Sequence, residues 1–169
     1  MLKLNDDKTE LIMFTSRYNQ ELVSGINVVI DGAVVDCQPQ VRNLGVILDQ
    51  VLSLRQHVVY TSRTCRFHLR NISRIRKYIP HDTSVLLVKS LVMSRLDFSN
   101  AVLYGLPHCT LSGLQSIQNS AARIVTRTAL RDHGSVTRAL ADLHWLPIEK
   151  RIEYKVLLYT YKAIHINMN

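Results

Sequence analysis

The sequence predicts an α+β chain, with a small antiparallel β-sheet over about residues 1–50 and a helical bundle over about residues 53–166. Three observations carry that expectation. Short β-branched runs, broken by Asp-Gly and by Pro, fill the first fifty residues. After Asp49 the apolar residues recur every three or four positions, which is helical spacing. The charge changes sign at the same place. Residues 1–50 carry four Lys/Arg against seven Asp/Glu, a net of −3, and residues 51–169 carry seventeen against six, a net of +11, together the +8 of the chain. At 169 residues, one modest domain or two small subdomains is expected.

In order along the chain, Glu10–Thr15 (ELIMFT) is an apolar run read as a strand, and Arg17–Gln20 reads as a loop. Asn27–Cys37 is a hairpin candidate, because NVVI and AVVDC flank Asp31-Gly32, the dipeptide that supplies positive φ for a tight type I′ turn. Pro39 breaks the run. Val41–Leu48 (VRNLGVIL) is rich in β-branched residues and bounded by Pro39 and Asp49, so it reads as a further strand. Gly45 inside it marks a bulge or a close approach by another backbone.

Beyond Asp49 a basic helix is expected up to Ile79, closed by Pro80. Asp82 can cap the next helix, which runs to about Leu96 with Val85, Val88, Leu91, Val92 and Leu96 inward. Asp97–Cys109, with Gly105 and Pro107, is loop-like. A helix from Leu111 to about Thr128 turns Leu111, Leu114, Ile117, Ala121, Ile124 and Val125 to a core and leaves Arg123 and Arg127 outside. A short helix spans Ser135–Leu143. Trp145 precedes Pro147, a good first helical residue. The last helix, Ile148 to about Ile166, carries Ile152, Val156, Tyr159 and Ala163 on one stripe.

The functional signal lies in the basic helix. On a helical wheel at about 100° per residue, Arg63, Arg66, Arg70, Arg74 and Lys77 fall within a sector about 80° wide, with Arg55 just beside it. Leu54, Val58, Cys65, Leu69, Ile72, Ile75 and Ile79 take the far side; Arg76 breaks the pattern by falling among them. No acid occurs from Val51 to His81. Solvated helix faces usually mix signs, since like charges four apart repel by a few tenths of a kcal/mol. An unrelieved basic row is the mark of a polyanion partner.

Composition narrows the rest. With 47% hydrophobic and 20% charged residues a packed core is expected and disorder is disfavoured. No window nears the about 20 apolar residues of a membrane span. MLKLNDDKTE lacks the apolar core of a signal peptide. Cys37, Cys65 and Cys109 lie far apart, with no C-x-x-C pair and no histidine at ligand spacing, so reduced intracellular thiols are expected, in the nucleus or the cytoplasm. No catalytic set assembles. Asp6-Asp7 read as a cap or solvated loop, and His57 and His68, eleven apart, have no acidic or third ligand beside them. There is no Gly-x-Ser-x-Gly elbow, no Walker loop and no G-x-G-x-x-G.

The order of segments adds a likeness. LKLNDDKTELIMF (Leu2–Phe14), VRNLGVILDQVLSLRQHV (Val41–Val58), SRLDFSNAVLYGLP (Ser94–Pro107), LQSIQNSAARIVT (Leu114–Thr126) and LHWLPIEKRIEYKVLLYTYKAI (Leu143–Ile164) occur in register over nearly the whole chain. In this order they resemble the C-terminal part of reverse transcriptases of non-LTR (LINE-type, jockey-like) retrotransposons. The resemblance implies a palm remnant with a primer-grip-like hairpin over residues 1–52, and a thumb with its extension over residues 53–169. Lys8 matches the motif D lysine, which lies near the leaving pyrophosphate in related polymerases. Asn43, Leu44, Gly45 and Val46 match the primer grip. Arg55, Arg63, Arg66, Arg70, Arg74 and Lys77 become thumb contacts to duplex phosphates, independent of base sequence.

The family's paired catalytic aspartates are absent from the 169 residues, and Asp6-Asp7 belong to the LN-x-x-KTE segment instead. The resemblance places that catalytic strand before Met1. Together with a helical pattern still running near Asn169, it suggests a reading frame cut from a decayed element. Two-metal phosphoryl transfer needs carboxylates holding two ions about 4 Å apart. No cofactor is therefore expected in this fragment, although the intact family enzyme uses Mg²⁺. Three readings stand at this point: a fragment that binds primer–template or element RNA, a polymerase subunit whose missing palm and fingers come from a partner, and a helical module whose basic face binds an acidic protein or anionic surface.

Overall fold

A glycine between two valine-rich runs is enough to reverse the chain. The computed structural model describes residues 9–23, 25–30, 32–128 and 133–166. In it β1 (Asn27–Ile30) pairs antiparallel with β2 (Ala33–Asp36), Ile30 opposite Ala33. Gly32 has φ +87°, and Asp31, the other expected turn residue, lies outside the described residues. A second antiparallel hairpin joins β3 (Gln40–Asn43) to β4 (Val46–Asp49), with Asn43 opposite Val46. The fold is α+β, its strands forming two separate two-stranded sheets ahead of the helices.

Three expectations for this region are corrected. Val41–Leu48 is not one strand with a bulge. Leu44 and Gly45 both have positive φ, 46° and 86°, which makes the two-residue turn whose twist suits a hairpin. Glu10–Thr15 forms no strand. Leu11 makes an isolated parallel bridge to Cys37, and the Thr15 N–H donates to the Gln50 carbonyl at 2.8 Å, so the run is tied near its two ends while each hairpin closes on itself. Arg17–Gln20 is not a loop but part of a 3₁₀ helix, Arg17–Val23, that buries Val23 and holds no Gly or Pro to stop it.

The chain divides into two compact units, Met1–His57 and Val58–Asn169. In the first, Val23, Val35, Val41, Val46, Leu54 and His57 are buried. Asp49 organises its end. One carboxylate oxygen accepts the Val51 and Ser53 N–H groups at 3.2 and 3.0 Å, and the other accepts the Ser53 hydroxyl and the Leu54 N–H at 3.1 and 2.8 Å. Those bonds hold a turn in which Leu52 and Leu54 have φ +51° and +53°, a conformation non-glycine residues adopt at a cost. Burial raises the Asp49 carboxyl's affinity for its proton, but the bonds from Ser53, Leu54 and Val51 outweigh it, and its pKa lies below the ordinary 3.8. His57 accepts the Ile47 N–H through Nδ1 at 3.4 Å.

Helix α1 (Arg55–Ile75) leads into the second unit. α2 (His81–Val88), a π turn (Lys89–Met93) and α3 (Ser94–Asp97) follow without a break, then a 3₁₀ turn (Asn100–Leu103), α4 (His108–Thr126), α5 (His133–Asp142) and α6 (Ile148–Ile166). α4 is central: Leu114, Ile117, Ala121, Ala122 and Val125 are all at most 1% exposed. Its paired alanines let neighbouring helices come close. A polar net pins the loop around Trp145: Gln118 Nε2 donates to the Leu146 carbonyl at 2.8 Å, and the Ile148 N–H donates to Gln115 Oε1 at 2.9 Å. Arg151 grips both carboxylate oxygens of Asp97, fastening α6 to the end of α3.

Here too some expectations change. α1 stops at Ile75, not at Pro80. The Tyr78 N–H bonds back to the Ile75 carbonyl at 2.9 Å in a turn, and Pro80 holds the residue before it out of the helical region. Ile75, the last residue of α1, is 44% exposed and not on the buried side. Asp82 does not cap α2: the helix starts one residue before it, after Pro80, with no side-chain cap, and Asp82 sits in the first turn. The helix expected to run to Leu96 widens at Lys89–Met93, where the Ser94 N–H reaches the Lys89 carbonyl five back. Asp97–Cys109 holds a 3₁₀ turn and the start of α4, beyond its loop. On α6 the expected stripe sinks at Ile152 but not at Tyr159, which is 55% exposed, or at Ala163.

Candidate nucleic-acid interface

α1 is helical because Val58, Cys65, Leu69 and Ile72 recur at core spacing, and each is buried. Fixing that face fixes the other. Arg63, Arg66, Arg70 and Arg74 are all exposed on the helix, and Lys77 is exposed in the turn after it. From Arg63 to Arg74 the row spans about 16 Å at 1.5 Å per residue. Arg55 is also exposed, at the first residue of α1 within the first unit. None of the six pairs with a described carboxylate; the ion pairs among the described residues are Lys150–Glu153 and Arg151–Asp97. Lys77 Nζ lies 4.7 Å from the Tyr78 ring centroid, a cation–π contact that leaves its charge in place.

The arginine that broke the wheel pattern has a different task. Arg76 is 8% exposed and covers the end of α4: Nε donates to the Ile124 carbonyl at 3.0 Å, Nη2 to Val125 at 2.8 Å, and Nη1 to Ile79 at 3.1 Å. The Ile124 and Val125 carbonyls are ones that a helix end leaves without partners, and the Ile79 carbonyl belongs to the turn before Pro80. In return Arg127, left-handed at φ +57° just after α4, donates from Nη2 to the Arg76 carbonyl at 3.1 Å. Burial, and then the nearby Arg127 charge, lower the proton affinity of Arg76, but a guanidinium keeps its charge in any folded protein.

Arg123 and Arg127, expected outside, differ from that picture. Arg127 is exposed but engaged, and Arg123 is half-buried with its Nε shielded and without a partner among the described residues. Two adjoining hollows follow the seam of α1 and α4. One, of about 370 Å³, is lined by Arg66, Arg70, Ser116 and Ser120; the other, of about 630 Å³, by Ser73, Arg76, Lys77, Ser120, Arg123 and Arg127. Reading one helix at a time hid this second basic surface, because α1 and α4 are far apart in sequence. The signal was there in Arg123 and Arg127, one turn apart at the end of a helix with no acid in it.

The other candidates separate. Asn43, Leu44, Gly45 and Val46 form the tip of the β3–β4 hairpin, with Leu44 88% exposed and Val46 buried. Lys8, Asp6 and Asp7 lie outside the described residues. His57 and His68 do not form a ligand pair. His57 is buried against Ile47, and burial and then the Arg42 charge lower its pKa, while burial and then Arg95 do the same for His68. The cysteines are free thiols; burial pushes Cys65 to about 11, and its Sγ faces the Val92 carbonyl. Among the described residues no group of three or more His, Cys, Asp or Glu side chains could hold a metal ion. No described helix is long and apolar enough to cross a membrane.

Comparison with known proteins finds no matching family model, no significantly similar curated protein and no significantly similar solved structure.

Proposed function

We propose that this chain is a sequence-nonspecific nucleic-acid-binding segment, derived from the primer-grip and thumb region of a non-LTR retrotransposon reverse transcriptase. The observation that carries it is the row Arg63, Arg66, Arg70, Arg74 and Lys77, exposed together with no described carboxylate to neutralise it. Such a row gains most by replacing the condensed counterions of a phosphate backbone. The side chains are long and flexible and address phosphate and sugar, so affinity changes little with base sequence. Primer–template duplex and element RNA are the partners this chemistry suits, in whichever compartment holds them, nuclear or cytoplasmic.

The reading includes no catalysis by the chain itself. Its sequence lacks the family's paired aspartates, so it has no set to hold two magnesium ions at a primer end. Activity would require the upstream palm and fingers.

Fluorescence anisotropy with a labelled RNA–DNA hybrid, over a salt series, tests the binding. We expect log K to fall linearly with log salt at a slope of about −3 to −5, according to how many cations of the row touch phosphate. A flat slope, or tight binding to an acidic peptide or anionic vesicle with none to the hybrid, overturns the proposal. Primer extension with Mg²⁺ and nucleotides is expected to give no template-dependent product.

A further inference from the structure

The hollow where α1 ends beside α4 differs from an ordinary solvated basic patch. Arg76, Lys77, Arg123 and Arg127 come together in it, and no described acidic side chain lines it. Like charges at such quarters repel, and buried or half-buried cations are normally paired. Here the Arg123 Nε is shielded from solvent and has no hydrogen-bond partner among the described residues. That N–H is beyond a solute's reach, but the guanidinium charge it belongs to stands beside three other cations with no described acid, which favours an anion in the hollow.

The end of α4 would by itself repel an anion, since helix carbonyls point there. That objection is removed locally. Arg76 covers the Ile124 and Val125 carbonyls, and the Thr128 N–H bonds to the Arg123 carbonyl at 3.1 Å. The Ser73 hydroxyl adds an uncharged donor among the lining residues, while the Ser120 hydroxyl donates to the Ser116 carbonyl at 2.9 Å. At about 630 Å³ the hollow has room for a phosphate and the sugar that carries it.

We infer that this hollow is an oxyanion site that takes one phosphate group, held by Arg123, Arg127 and Lys77 with Ser73 beside them. Arg76 keeps its place on the helix end and supplies charge from below. That the phosphate belongs to a nucleic acid rests on the reading of α1 given above; the affinity for an oxyanion does not. The source is either an internal phosphodiester or a terminal phosphate.

The test uses the full chain and inorganic phosphate, titrated in calorimetry at constant ionic strength with chloride as the reference ion. Saturable binding at millimolar concentration is expected, about tenfold weaker in Arg123→Gln and in Lys77→Gln. The second variant alters an exposed residue, so it holds the test open if the first fails to fold. Binding that does not saturate, or two folded variants that bind as wild type does, overturns the inference. A hybrid carrying a 5′-phosphate is then compared with one carrying a 5′-hydroxyl. Loss in Arg123→Gln of the affinity gained from the 5′-phosphate assigns a terminal phosphate, and equal loss on both assigns an internal one. Phosphate binding without hybrid binding sinks the nucleic-acid reading alone. Hybrid binding with the expected salt slope but no phosphate saturation sinks the pocket alone.

Discussion

The Asp49 carboxylate takes the Leu54 N–H at 2.8 Å, five residues along the chain, and so sets the turn from which α1 starts. Four donors converge on this one side chain, and two left-handed leucines depend on it. Asp49→Ala is expected to cost about 2 kcal/mol, as hydrogen bonds to a charged group and a lost helix-start cap would together suggest. Asp49→Asn should recover part of that. Urea unfolding measures both; an alanine variant as stable as the parent would show that the turn holds without its carboxylate.

Acid should loosen the first unit in two stages. Burial and then the Arg42 charge keep the His57 pKa below its ordinary 6.5, and Nδ1 must stay unprotonated to accept the Ile47 N–H. The unfolded chain thus takes up this proton first on acidification, so stability is full above about pH 6.5 and falls below it. The Asp49 pKa is held below 3.8, so its contribution is lost only as the pH drops through that lower value. Melting followed from pH 8 to pH 3 should show both steps. A melting temperature that rises between pH 7 and pH 5 contradicts the assignment to His57.

Changing Arg66 and Arg70 together to Gln should flatten the slope of log K against log salt by up to about two, nearly equally for different duplex sequences. Both residues are exposed, so stability should move by no more than about 0.5 kcal/mol. An unchanged slope in a folded double variant would place the contacts elsewhere.

Arg76→Leu should cost about 3 kcal/mol, because it strips the carbonyls of Ile124 and Val125 of their donor at a buried position. Arg76→Lys restores the charge but not the three-way fork, and should recover less than half. Equal stability of the Leu variant and wild type in guanidinium unfolding would mean that water serves those carbonyls as well.

Amide exchange should be faster in residues 9–50 than in α4. Val28, Val29, Val34 and Leu44 are exposed and each sheet has two strands, whereas α4 holds five side chains at most 1% exposed. Equal protection in the two regions would count against this.

Much of this was legible in the sequence. The β1–β2 hairpin, α1's basic and apolar faces, and α6 from Ile148 to Ile166 followed from turn chemistry and periodicity. What was not legible has physical causes. Leu44 reads as strand because it is apolar, yet it sits in a left-handed turn that only its backbone reveals. Tyr159 and Ala163 keep helical spacing but lie outside the packed part of α6. Arg76 was visible as an exception on the wheel, but its partners are 48 and 49 residues away, beyond any local pattern. The second basic surface was hidden for the same reason.

The wide turn at Lys89–Met93 bears on how this chain can change its length. It fits one more residue into a turn than an α-helix would, which rotates everything after it by about 100°. Asp97 comes four residues later, and meets Arg151 only in that rotated phase. Closing the wide turn to an α turn without removing a residue, or adding a residue that the turn does not absorb, would swing the carboxylate off its arginine and strand both charges. Deleting one residue together with the bulge would keep Asp97 in phase. Insertions between Val88 and Asp97 should therefore be tolerated far less well than in the Gly105–Pro107 loop, although both segments lie at the surface in part. The count of residues along that helix is itself a structural constraint.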